Sequence, residues 1–200
     1  MNLPAYYDQV PSITMTDPLA ETLGSAAGGT LEYRYLDAVK LTGHSCPTVA
    51  GAWRMTRDAL ARLYPDGTPR RGEIRVALRE SLDDGVAGVI ASVLSLVTGA
   101  ANAGGFKGFA GRHARKDLLV FGVPMRGDVR LTRLDTGQSV EFTRRGFPLP
   151  RSGALTQLLR AAVSPDAPDD AKRAFALAWS DWVAQLLDPA AAPEWIETAV

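Results

Sequence analysis

From Gly85 to Phe106 the chain reads GVAGVIASVLSLVTGAANAGGF, without one charged residue. About 20 apolar residues suffice to span a bilayer. This stretch must therefore either cross a membrane or be hidden inside the protein. Eight of its residues are Gly, Ser or Thr, and it ends in a glycine-rich turn. That composition suits a buried core helix, from about Val86 to Val97, with a small-residue face for a close neighbour. The expectation is a chain with no membrane span.

A helix buried all round needs other layers to cover it, and the rest of the sequence supplies them. Apolar residues make up 46% of the 200, enough to build one core. Pro47 to Leu63 carries an apolar stripe at Val49, Trp53, Thr56, Leu60 and Leu63, the spacing of a helix with one buried face. Ala50, Gly51 and Ala52 leave another side of it small. Asp17, Pro18 and Gly28-Gly29 bracket a short helix. TLEYRYLDAVKL (30–41) alternates and reads as a strand, as do EIRVAL (73–78) and DLLVFGV (117–123). Two alternating runs around Asp135-Thr136-Gly137 predict a hairpin. Helical patterns return at 153–163 and 169–187, and the Pro/Ala-rich tail after them reads as loosely held. This order predicts an α+β domain with a mixed sheet over residues 1–150. Residues 151–200 would form a helical extension packed on the same domain.

Charge narrows the range of partners. Lys plus Arg equal Asp plus Glu, so nothing calls for a polyanion, and nucleic acid is not an expected partner. One cysteine excludes a disulfide framework and fits a reducing compartment. The first residues lack the basic start and apolar run of a secretion signal, so the expected location is cytoplasmic.

The one cysteine also marks the main candidate site. In GHSCP (43–47), Pro47 stands where a helix begins, which places Cys46 at its N-cap. Free N–H groups and the helix dipole there favour a thiolate. If Gly43 to Cys46 runs extended, His44 and Cys46 point to the same side. An imidazole and a thiolate converging at a dipole end suit zinc or another late divalent metal. Zinc needs three or four ligands. Asp83 and Asp84 ahead of the buried helix, and His113 in GRHARK, are the candidates for the rest. AGGFKGFAGR (103–112) has four glycines with Lys107 and Arg112, a composition that can cradle a small anion. It matches neither the phosphate-loop nor the dinucleotide pattern.

GHSCP followed by TVAGAW resembles the G-H-x-C-P-G signature of the formylmethanofuran dehydrogenase E-subunit family. The similarity runs on through LVTGA and the glycine-rich stretch to GRHARKDLLVF, over roughly residues 18–145. The resemblance implies a fold of the type shared with the catalytic domain of glyceraldehyde-3-phosphate dehydrogenase. It also implies a metal, zinc first, held in part by His44 and Cys46. Further cysteines usual in that family are absent here, and Thr48 replaces the glycine after the proline.

Three readings follow. One is a zinc site on His44 and Cys46 completed by Asp83, Asp84 or His113. Another is a metal-free thiol enzyme with Cys46 as nucleophile and His44 or His113 as base. The third is a binding module with a small-molecule pocket lined by Trp53, Phe106 and Phe109. The small-residue stretch from Gly85 to Gly105 also predicts a homodimer face.

Overall fold

The computed structural model describes residues 3–145, 153–193 and 195–198. After a 3-10 turn at Ala5–Gln9, the elements run β1 (Ile13–Thr16), α1 (Pro18–Thr22), β2 (Thr30–Tyr33), α2 (Tyr35–Thr42) and α3 (Pro47–Leu63). Next come β3 (Ile74–Leu78), α4 (Ala87–Thr98), β4 (Leu119–Val120), β5 (Val129–Arg133) and β6 (Ser139–Arg144). The chain closes with α5 (Ala154–Ala162), α6 (Asp169–Leu187) and β7 (Trp195–Thr198). Strands β1 and β2 form a small antiparallel pair. The main sheet has the order β4-β3-β5-β6-β7. Only β3 and β4 are parallel, so the sheet is mixed and the class is α+β, as expected.

Register decides which face of the sheet is buried. Val76 lies opposite Leu131, which lies opposite Val140, and Val129 pairs with Phe142. These residues are all at most 5% exposed. Helices α3 and α4 pack against the sheet and each other, and α2 and α6 pack on α3. On the opposite side of the β5–β6 ladder Arg130 faces Glu141 and bonds its carboxylate. The charge-free stretch becomes α4, seven of whose residues are buried. No helix among the described residues is long and apolar enough to cross a membrane.

The long helices match the sequence closely. Helix α3 starts at Pro47 with Cys46 as N-cap and spans the predicted residues. Asp17 caps α1, accepting from the N–H groups of Leu19 (2.9 Å) and Ala20 (3.2 Å). Three expectations need correction. The strand predicted over 30–41 stops at Tyr33, because Asp37 accepts the Arg34 N–H at 2.8 Å and opens α2. Tyr35 and Ala38 then fall three apart and are buried on the face of a helix. The strand predicted over 117–123 pairs only at Leu119 and Val120. The tail is not loose where it is described: residues 195–198 pair with β6, and Trp195 is 3% exposed.

The C-terminal helices are part of the same core. Trp182, Val183, Leu186 and Leu187 of α6 belong to the cluster that contains Trp53 and Phe142. Arg54 of α3, 2% exposed, donates to the carbonyls of Leu186 and Ala191. The predicted boundary at 150 lies outside the described residues.

The glycine-rich connection after α4 is pinned by charge. Arg115, 6% exposed, bonds Asp17 Oδ1 at 2.6 Å, and Arg71 takes Oδ2 at 2.9 Å. The Arg115 guanidinium fits only because Gly72 and Gly99 have no side chain. A Cβ would lie 1.9 Å from its Nη1 at Gly72 and 2.5 Å at Gly99. Burial alone would raise the Asp17 pKa. The hydrogen bonds from Arg71, the Ala20 N–H and Arg115 outweigh it and hold the carboxyl below its ordinary range.

Candidate functional site

The GHSCP turn is held from three directions. Ser45 Oγ lies 2.8 Å from the Tyr35 hydroxyl and 3.3 Å from that of Tyr6. Its carbonyl accepts from Trp179 Nε1 of α6 at 2.9 Å. Burial pushes the Tyr35 hydroxyl pKa far up, so it stays a neutral hydrogen-bond partner. The central serine, which no local pattern singles out, therefore anchors the motif.

The two residues beside it are less confined. His44 is exposed, with Nδ1 2.9 Å from the Thr42 carbonyl. Cys46 is a free thiol, half-buried, packed against the core and making no capping hydrogen bond. The other proposed ligands serve their own loops. Asp84 accepts the Ser81 N–H at 3.0 Å and closes a turn, and Asp83 beside it is exposed. His113 sits at φ 61° against the Phe109 ring, with Nε2 3.5 Å from Thr22 Oγ1. Among the described residues no three His, Cys, Asp or Glu side chains gather into a group that could hold a metal. A closed zinc shell built from His44, Cys46, Asp83, Asp84 and His113 does not fit this arrangement.

The anion expectation shifts as well. Lys107 and Arg112 are exposed on the glycine-rich loop. A pocket of about 210 Å³ lies instead against Arg71, Arg115 and His113, and both arginines there are already bonded to Asp17. The aromatic pocket does not form either. Trp53 is wholly buried in the core, whereas Phe106 and Phe109 are 45% and 44% exposed.

A larger cavity, of about 500 Å³, begins at the residue that follows the motif, Thr48. Thr48, Gly51, Ala52 and Met55 of α3 form one wall. Val86 and Ile90 at the start of α4, and Trp195 of β7, form the others. Gly51 and Ala52 are among the small residues expected to receive another backbone. The cavity ends in four charged side chains delivered by strand ends: Arg79 and Glu80 after β3, Asp128 before β5 and Arg144 closing β6. Asp128, 6% exposed, is the hub. It bonds Arg79 through one oxygen and accepts the Arg144 N–H at 2.7 Å through the other. Arg144 Nη2 donates to Glu80 Oε1.

The cavity's lining is mixed. Ala52, Met55, Ile90 and Trp195 are at most 3% exposed, while the Arg79 side chain is half exposed. Apolar and charged side chains thus share one lining, the charged ones coming from the strand ends. Pockets of 300–1,000 Å³ with apolar walls and a few convergent polar groups are the usual form of small-molecule sites. Local motifs could not reveal this one, because its lining comes from separate segments of the chain. Comparison with protein-family models, with curated proteins and with solved structures returns no match. The resemblance to the formylmethanofuran dehydrogenase family rests on the motif and its surrounding segments alone.

Proposed function

We propose that this protein binds a small molecule, with the cavity beside α3 as its site. The observation that carries the reading is the cavity's mixed lining: about 500 Å³ in which buried apolar side chains meet four charged ones. A chamber of this kind removes an apolar ligand body from water, at about 25 cal/mol per Å² buried, and orients its polar end. The reading belongs to the binding-module class and assigns no reaction to the chain.

Ala52→Leu tests it. The added atoms enter the chamber from its α3 wall. A neutral naphthylamine fluorophore should bind the wild-type protein saturably at one site and fail to bind the variant, with the fold unchanged by circular dichroism. Saturable binding that survives Ala52→Leu would place the site elsewhere.

The zinc reading keeps two donors, His44 and Cys46, and the sequence resemblance. Its weight rests on ligands that the described residues do not bring together. Metal analysis of wild type and Cys46→Ala decides it. One equivalent of zinc lost with the thiol would restore it.

A further inference from the structure

The charged cluster leaves one buried donor unpaired. An arginine carries five N–H donors and no acceptor, and a carboxylate carries only acceptors. Asp128 spends both oxygens, on Arg79 and on the Arg144 backbone. Glu80 spends one, on Arg144. Arg79 uses Nη1 for the Arg126 carbonyl (3.3 Å) and Nη2 for Asp128. Among the described residues Arg144 makes a single side-chain hydrogen bond, to Glu80, and its buried Nε has no hydrogen-bond partner. Nε lies 3.8 Å from Asp128 Oδ2, beyond hydrogen-bond reach. Arg144 Nε is therefore a buried donor beside the cavity with no acceptor among the described residues.

From this unpartnered donor, next to a guanidinium that already holds one carboxylate oxygen, we infer that the ligand is an amphipathic carboxylic acid, its apolar chain in the cavity and its carboxylate on Arg144. This inference rests on the cavity reading above and names its substrate class. Planar guanidinium matches planar carboxylate through two parallel hydrogen bonds, and charge-assisted bonds of this type are the stronger ones. Glu80 is the internal stand-in. It already places a carboxylate oxygen on Arg144 from a partly exposed position, and the incoming acid replaces it. Arg79 remains with Asp128, so the hub is not disturbed. The buried apolar side chains of Trp195 and Met55 receive the tail, and the charged strand ends the head.

The probes are octanoate and 1-octanol, which share a chain and differ in the head group, titrated calorimetrically into the full chain at pH 7. Wild type should bind octanoate about tenfold tighter than octanol, the discrimination expected of one hydrogen bond to a charged group. Arg144→Met should remove that preference while octanol affinity stays. Glu80→Gln, which leaves the arginine in place, should tighten octanoate and not octanol. This second variant reads the proposal even if Arg144→Met fails to fold. Equal affinity for the two probes in wild type overturns the carboxylate inference and leaves the cavity reading standing. Binding of neither overturns both. An octanoate preference that persists in Arg144→Met, or weakens in Glu80→Gln, overturns the assignment of the anchor.

Discussion

Asp17 and Asp128 are each nearly buried, and each bridges two arginines, yet the two clusters are built for different ends. Around Asp17 one partner is withdrawn from water: the Arg115 side chain is 8% exposed and fits against Gly72 and Gly99, while Arg71 is 23% exposed. Around Asp128 both partners stay near solvent, with Arg79 half exposed and Arg144 about a quarter exposed. Asp17 joins the entrance of α1 to the glycine-rich loop and the end of α4. Asp128 stands at the mouth of a cavity. The same three groups make a tie when closed and a receiving edge when open. What separates them is the surrounding residues, small where the arginine is swallowed and apolar where the cavity lies.

The largest test of this contrast is Asp17→Asn. Removing one partner of a buried ion cluster leaves uncompensated charge, and about 3–5 kcal/mol of stability should be lost in chemical denaturation. The acid limb should report the same group. With its folded pKa depressed, Asp17 stabilises fully above the unfolded-chain value of about 3.9. That stabilisation is lost as pH falls through the lower folded value. Wild type should lose stability below about pH 4, and Asp17→Asn should flatten that part of the profile.

Gly72→Ala comes next. Its Cβ would collide with the Arg115 guanidinium at a φ of +80°, and a loss of roughly 2 kcal/mol follows. Asp128→Asn should lose less than Asp17→Asn, about 1–2 kcal/mol, because Arg79 can turn to water. A loss equal to that of Asp17→Asn would erase the distinction between the clusters. Arg144→Met should change stability by under about 1 kcal/mol, since its pair with Glu80 is partly exposed. Smallest of all, Cys46→Ala should leave octanoate affinity unchanged, because Cys46 is not among the residues lining the cavity. A roughly tenfold loss, about 1.4 kcal/mol, would tie the thiol to the site.

Much of the scaffold was legible in the sequence because its signals are local. Pro47 and the apolar stripe after it specify α3, and Asp17 announces its own cap. The segment at 30–41 misled because tyrosines at 33 and 35 alternate like a strand, while one hydrogen bond from Arg34 to Asp37 turns the chain into a helix. Trp195 was lost in a Pro/Ala-rich tail, because pairing with β6 is a tertiary event that no neighbouring residue signals. The site was legible only in part. His44 and Cys46 stand out by rarity, but the structure shows Ser45 as the residue that fixes the turn. Arg79, Glu80, Asp128 and Arg144 look like ordinary charges until the sheet aligns the ends of three strands. The small residues Gly51 and Ala52 were noticed, and the space beside them proved to hold a cavity.

Arg54 sets an order of events for the growing chain. Its guanidinium lies in the core beneath Trp195 and donates to the carbonyls at 186 and 191. Until those residues have been synthesised and docked, α3 carries a charge that the interior cannot accept without its partners. The nascent domain must therefore hold that face open to water. Its core closes late, through contacts more than 130 residues apart in sequence, and such long-range closure is slow.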